Sequence, residues 1–304
     1  MNSERATEYL NKNLEHDQDL LYVFMLIFEA VRNISDHLDI TKGDEGTVNV
    51  HGERQLAMDV QADRIAQEAL CTCNCVAKIA SEEQHDAVEL NGDKFCVVFD
   101  PLDGSSLVDV NMSIGSIFGI FPGTEIVGRK GEEMVGALVA VYGPRTTVMV
   151  SWGDGVHEFV LEDEGFKLKI ENIKVAQESK YFAPGNLRAT SDTPWYLKMM
   201  NHWMTEQYKL RYSGGMCPDV NHILVKGGGI FTYPGSKDVP EGKLRLVYEC
   251  NPMAYIMEQA GGCASNGEGR ILEKTITSLH ERTPIFIGSC KEVDLALQYL
   301  HDFS

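Results

Sequence analysis

Apolar positions recur along the chain in two periods, and the periods divide it into elements. In residues 17–38, Leu21, Phe24, Ile27, Phe28, Val31, Ile34 and Leu38 fall at helical spacing, which predicts a long amphipathic helix. Residues 40–52 contain Gly and Asp and read as a loop. A second helix is predicted over 58–80, closing at the acidic stretch Ser81-Glu82-Glu83-Gln84. Residues 95–99 are uninterruptedly apolar and predict a short buried strand, halted at Asp100-Pro101 because proline offers no N–H to a ladder. Segments 113–121, 134–142, 146–150, 156–161 and 166–170 are β-like, separated by turns such as Tyr142-Gly143-Pro144-Arg145 and Gly153-Asp154-Gly155. They predict a mostly antiparallel meander.

Beyond residue 175 helices and strands alternate. A loop is expected over 181–192. Helices are expected over 194–207, 218–226, 253–260 and 292–300, and strands over 229–233, 244–248 and 284–288. In 194–207, Trp195, Met199, Trp203 and Met204 share one side and read as core. The fold class is therefore α/β, with halves 1–175 and 176–304 packed into one unit.

Composition narrows the partners. The 304 residues are 43% hydrophobic and 24% charged, ordinary for a globular protein, but the formal net charge is −18. Nucleic acid and anionic membrane are excluded as main partners, since both are held by Lys and Arg. A small phosphorylated substrate is not excluded, because divalent cations offset local charge. The eight cysteines include no Cys-x-x-Cys pair and read as buried free thiols of a reducing compartment. Zinc ligation by Cys71, Cys73 and Cys75 is the lesser reading. The polar N-terminus has no apolar signal segment, and the most apolar window, 20–34, carries Glu29 and Arg32 and is too short to span a bilayer. A cytoplasmic location is expected.

The chemistry concentrates at Asp100-Pro101-Leu102-Asp103-Gly104-Ser105-Ser106. Two carboxylates and a carbonyl suit a hard divalent cation, and the small-residue loop offers N–H and hydroxyl donors to phosphate. By itself the stretch also reads as an acidic turn. Glu249 lies among apolar neighbours, where an unpaired carboxylate is costly; a metal ion or a salt bridge to Arg245 would offset that. Glu82 and Glu83 read either as metal ligands or as a solvated helix end. Asn186, Arg188, Arg211, Tyr212, Tyr233, Lys243 and Arg245 stand beside Gly and Tyr as phosphate clamps, although each alone reads as a surface group.

The Asp100–Ser106 stretch resembles the signature of the lithium-sensitive, metal-dependent phosphatases. Lys243-Leu244-Arg245-Leu246-Val247-Tyr248-Glu249-Cys250-Asn251-Pro252-Met253-Ala254-Tyr255 resembles the fructose-1,6-bisphosphatase family within that group. Gln55-Leu56-Ala57, Tyr142–Thr147, Pro184–Asp192, Leu210–Met216 and Pro218–Asn221 look more like its sedoheptulose-1,7-bisphosphatase branch.

The resemblance implies a layered α/β/α/β/α sugar phosphatase fold, two mixed sheets sandwiched by helices. It implies an N-terminal metal-binding half and a C-terminal sugar-phosphate-binding half. Glu82, Asp100, Asp103, Glu249 and the Leu102 carbonyl would hold Mg2+, with Glu83 beside them and roughly two or three ions per active site. Asp59, with Glu53 as its partner acid, matches groups that help to activate the attacking water. Gly104, Ser105 and Ser106 would hold the 1-phosphate. Asn186, Arg211, Tyr212, Tyr233 and Lys243 would hold the distal phosphate, with Met216 and Arg245 nearby. Arg211 would reach a neighbouring subunit, implying a homodimer. The implied reaction is hydrolysis of the 1-phosphate of sedoheptulose 1,7-bisphosphate, with fructose 1,6-bisphosphate as the alternative or as a second substrate.

Overall fold

The computed structural model describes residues 4–38, 44–48 and 54–303. Helices α1 (Ala6–Asn13) and α2 (Gln18–His37) lead into strands β1 (Asp44–Val48) and β2 (Arg54–Leu56) and helix α3 (Ala57–Leu70). Then come β3 (Val76–Ser81), β4 (Val88–Glu89), β5 (Phe95–Asp103), β6 (Ile114–Pro122), β7 (Gly136–Tyr142), β8 (Thr146–Ser151), β9 (His157–Glu162) and β10 (Gly165–Ile170). The remainder is β11 (Tyr181–Pro184), α4 (Pro194–Thr205), β12 (Lys209–Leu210), α5 (Met216–Lys226), β13 (Ile230–Tyr233), α6 (Asn251–Gln259), β14 (Cys263–Ser265), β15 (Ile285–Gly288) and α7 (Cys290–Phe303).

An eight-stranded sheet runs β10-β9-β8-β7-β6-β5-β3-β4, and a five-stranded sheet runs β12-β11-β13-β15-β14. Both are mixed. β3 and β5 are parallel in the first, and β12-β11-β13 are parallel in the second. One core joins α1, α2 and α3 to the large sheet, a second joins that sheet to α5, α6 and the small sheet, and a third lies under α4 and α7. The layers are therefore α/β/α/β/α, as expected. Among the described residues no helix is long and apolar enough to cross a membrane.

β5 shows why its sequence is apolar without alternation. Phe95, Val97 and Phe99 enter the first core while Cys96 and Val98 enter the second; a strand covered on both faces needs apolar residues at every position. On β6, Gly115 and Gly119 face the second core, where a Cβ would lie 2.3 Å from Cys217 Cβ and 3.0 Å from Pro252 Cγ. These glycines let the first turns of α5 and α6 approach the sheet.

Several expectations are corrected. The predicted helix over 58–80 ends at Leu70; Val76–Ser81 is a central strand, hydrogen-bonded to β5. Burial on both faces removes the alternation that would have revealed it. The expected loop 40–52 contains strand β1, paired with β2, and its other residues, except 44–48, lie outside the described residues. The expected loop 181–192 begins with β11 and continues as a 3-10 turn, Leu187–Ser191. Residues 244–248, expected as a strand, give way to a π-helical turn, Leu246–Cys250, in which the Cys250 N–H donates to the Arg245 carbonyl at 2.9 Å. Proline does not end β5 at Asp100. The strand continues to Asp103 with a bulge, because Asp100 pairs with Ile117 and Asp103 with Gly115. Met204 lies 60% exposed, away from the Trp195, Met199 and Trp203 core. The cysteines are not all buried free thiols. Cys263 and Cys290 form a disulfide joining β14 to the start of α7, and Cys71 is exposed.

Gly115→Ala should force α5 from β6 and cost about 1–3 kcal/mol of stability, read from urea unfolding. A midpoint equal to that of the parent would show that the helix adapts freely.

Candidate active site

The bulge in β5 decides where the carboxylates point. Residues 100 and 103 would face opposite sides of a regular strand; one extra residue opposite β6 brings both to the second-core side. Asp100 is 5% exposed and Asp103 8%. Asp100 Oδ1 accepts the Leu102 N–H at 3.0 Å, and Asp103 Oδ2 accepts the Cys217 N–H at 2.6 Å, from the first turn of α5.

Glu82 follows β3 directly. Its N–H donates to the Phe99 carbonyl at 3.0 Å, which places it alongside Asp100 at the ends of two parallel strands. It is thus a strand-end residue and not a helix end. Glu249 comes from the π-helical turn, where its Oε2 accepts the Arg245 N–H at 2.5 Å. Ligand oxygens of Glu82, Asp100 and Glu249 all lie within 4.8 Å of one another. Asp103 stands beside this trio and not within it.

Burial raises the pKa of Asp100 well above the usual carboxylate range, with Glu82, Asp103 and Glu249 adding to the effect. Glu249 is raised likewise, first by burial and then by Glu82 and Asp103. Burial raises Asp103 too, opposed by its hydrogen bonds to α5 and by Lys243. Arg245 is 1% exposed, with Nε 3.6 Å from Glu82 Oε1. Its guanidinium pairs with Glu82 and reaches Glu249 only as a charge at longer range, while its backbone N–H bonds Glu249, so the Arg245–Glu249 salt bridge of the alternative reading does not form. Acidic groups outnumber the nearby cations, and the all-oxygen donor set fits a hard divalent cation.

The trio opens into a cavity of 520 Å³. Glu83, Leu102, Asp103, Gly104, Ser105 and Ser106 line it, together with Tyr212, Met216, Tyr233, Lys243 and Arg245. Gly104 adopts φ +80°, which lets the chain turn from β5 into the 3-10 turn Ser105–Leu107. The first N–H groups of such a turn have no partner within it and suit an anion.

Four expected residues, Asn186, Arg188, Arg211 and Asp59, are not brought to the cavity wall, and Arg188 is exposed. Asn186 donates from Nδ2 to the Pro234 carbonyl at 2.8 Å. Arg211 is exposed, its guanidinium 5.9 Å from the Tyr181 ring. Asp59 is buried in α3 outside the lining. Glu53 lies outside the described residues.

Other residues went unnoticed in the sequence. Asp63 Oδ2 accepts from Gln67 Nε2 and Gln84 Nε2, each at 2.6 Å, and so ties α3 to the Glu82-Glu83 turn. Its spacing to Asp59, one helical turn, was the available signal. Cys217 was visible only as one of the cysteines, and Asp219 only within the expected 218–226 helix and its Pro218–Asn221 stretch. Asp219, pushed up to about 6 by burial, accepts the Ser213 N–H at 2.8 Å and holds the Tyr212–Gly215 loop.

The sequence profile of the fructose-1-6-bisphosphatase N-terminal domain matches residues 4–170, and that of the C-terminal domain matches 175–301. The chain belongs to the fructose-1,6-bisphosphatase family. It is 42% identical to a class 1 fructose-1,6-bisphosphatase of Syntrophotalea carbinolica, over 95% of this chain and 91% of that protein. It is also 42% identical to a chloroplastic sedoheptulose-1,7-bisphosphatase of Triticum aestivum, over 94% of this chain and 74% of that protein. A crystal structure of Leishmania major fructose-1,6-bisphosphatase superposes with a TM-score of 0.94 at 32% identity, covering 99% of this chain and 100% of that one. The family's members are metal-dependent sugar bisphosphatases, and this chain is a phosphoric monoester hydrolase of that kind.

The clustered carboxylates predict a pH signature. Asp100 and Glu249 have raised pKa values when folded, so their contribution to the stability of the metal-free protein is fully present below the ordinary carboxylate range, about 4. That contribution is lost as pH rises through the raised values. Thermal unfolding should show metal-free Tm falling from pH 5 to 8, and Glu249→Gln should flatten the fall. MgCl2 at pH 8 should raise the parent's Tm and leave the variant's nearly unchanged. A metal-free Tm that climbs over this range would contradict the carboxylate assignment.

Proposed function

We propose that the protein hydrolyses the 1-phosphate of sedoheptulose 1,7-bisphosphate with Mg2+ as its metal. The observation that carries a two-phosphate substrate is one cavity lined by two chemically distinct sets of groups. Glu82, Asp100 and Glu249 form one set, and Tyr212, Tyr233 and Lys243 the other. In this reading Glu82, Asp100, Glu249, Asp103 and the Leu102 carbonyl hold roughly two or three ions, which neutralise phosphate charge and acidify water when bound. The 3-10 turn at Ser105 and Ser106 receives the 1-phosphate, with donors aimed at its oxygens. Lys243 and the two tyrosines hold the distal phosphate and fix the length of the substrate. Glu83 at the wall orients the attacking water, and Asp59, which lies outside the lining, acts on that water only through the groups between them, together with Glu53. Arg245 Nε, 3.6 Å from Glu82 Oε1, sets a positive charge beside that carboxylate.

Sedoheptulose is placed first because the Pro184–Asp192 and Arg211–Met216 stretches look like that branch, and the second of these supplies Tyr212 and Met216 to the cavity. Fructose 1,6-bisphosphate is the second reading, favoured by the class 1 fructose-1,6-bisphosphatase relatives and by Tyr233 in the wall. The halves 1–175 and 176–304 divide the labour, metal in the first apart from Glu249 and distal phosphate in the second. Arg211, exposed and outside its own cavity, serves the partner site of a homodimer. The six free thiols fit a cytoplasmic setting, with the Cys263–Cys290 disulfide as an exception to that chemistry.

Side-by-side kcat/KM on the two bisphosphates tests the substrate. A higher value for the seven-carbon sugar is expected, and a clear preference for the six-carbon sugar would overturn that choice. Asp103→Asn should lower kcat by about two orders of magnitude or more. Lys243→Ala should raise KM about tenfold or more with a smaller fall in kcat; an unchanged KM would remove Lys243 from the distal site.

A further inference from the structure

A second hollow of 300 Å³ lies outside the active-site cavity, between the β7–β8 turn, β9, β10 and α5. It gathers Arg145, Lys169 and Lys226, in a chain whose net charge is −18. Lys169 Nζ donates to Glu158 Oε1 at 2.8 Å. Neither Arg145 nor Lys226 has an ion-pair partner among the described residues. Two acceptors in the hollow are buried without a donor, Glu158 Oε2 and Asn221 Oδ1. Glu158 is only 1% exposed. Leaving a buried acceptor unpaired is costly, so this wall is built to receive hydrogen-bond donors. Nothing in the active-site reading uses any of these groups.

We propose that this hollow is a second ligand site, for a phosphorylated polyol. Hydroxyl groups donate to Glu158 Oε2 and Asn221 Oδ1, and the phosphate faces Arg145 and Lys226. Three cations against one carboxylate leave a balance of two positive charges, which matches a phosphate monoester near neutral pH, about −1.5 to −2. The volume suits a small ligand. Bare phosphate would meet the cations yet leave the buried acceptors poorly paired.

The site is connected to the catalytic one through α5. Pro218 and Asn221 line the hollow, while Cys217, in the same first turn, donates its N–H to Asp103 at 2.6 Å. An occupant that shifts α5 therefore shifts Asp103. Binding in the hollow stands apart from the proposed function; only its effect on turnover rests on that reading.

Calorimetric titration with glycerol 3-phosphate, and separately with inorganic phosphate, tests the proposal on the full chain. Glycerol 3-phosphate should bind in a mode that Lys243→Ala leaves intact and that the double variant Arg145→Ala/Lys226→Ala weakens by about tenfold or more. Asn221→Ala should weaken the same mode, and inorganic phosphate should bind it less tightly than glycerol 3-phosphate. The double variant should keep kcat/KM on fructose 1,6-bisphosphate within about twofold of the parent when no glycerol 3-phosphate is present. Binding confined to a mode that Lys243→Ala abolishes and Arg145→Ala/Lys226→Ala leaves unchanged would overturn the site. Equal affinity for phosphate and glycerol 3-phosphate would overturn the polyol.

Discussion

Several carboxylates held together out of water are the constraint on which the rest of the molecule depends. Asp100, Asp103 and Glu249 are buried, Glu82 stands against them, and Arg245 pairs with Glu82 alone. Such a group is unfavourable until a cation joins it. The fold accepts the cost by fixing each acid from a separate direction. Glu82 is set by β3, Asp100 and Asp103 by the bulged end of β5, and Glu249 by a π-helical turn whose own N–H groups are redirected around it. The parallel pairing of β3 with β5 brings two strand ends to one edge, and the bulge turns Asp103 to the side that Asp100 already faces.

Helix α5 serves the same constraint from the opposite sheet. Glycine at position 115 lets it lie close to β6, and its first turn then supplies an N–H to Asp103 and Met216 to the cavity. One helix thus stabilises a carboxylate that metal chemistry needs ionised and also walls the sugar end. It borders the polar hollow at Arg145 and Lys226 as well, so any ligand there acts on a helix already committed to the active site.

Much of the site was legible because its residues are contiguous. Asp100 to Ser106 announces metal and phosphate together, and Glu249 betrays itself as a charge inside an apolar run. The long helices were legible as well, since a period of 3.6 survives when only one face is buried. What failed to show were features that depend on a partner distant in sequence. β3 was hidden as a helix because both of its faces are covered and its pairing partner begins nineteen residues after its own start, at Phe95. Asp63 acts through Gln84, and Arg245 through Glu82. Asn186 and Arg211 were grouped with the phosphate clamps by type, whereas one is tied to the Pro234 carbonyl and the other lies on the surface.

The sequence by itself determined the chemistry: which acids and donors are present, that they favour a divalent cation and phosphate, and that a strand-rich first half precedes alternating helices and strands. These are properties of residue type and short-range period. Tertiary structure alone decided which acids share one cation site, which cation lies beside which acid, and that Asp103, next to the trio, is hydrogen-bonded by α5. Those outcomes turn on a bulge, a parallel strand pair and two close helix approaches. Each depends on packing between segments far apart in the chain, which no local pattern records.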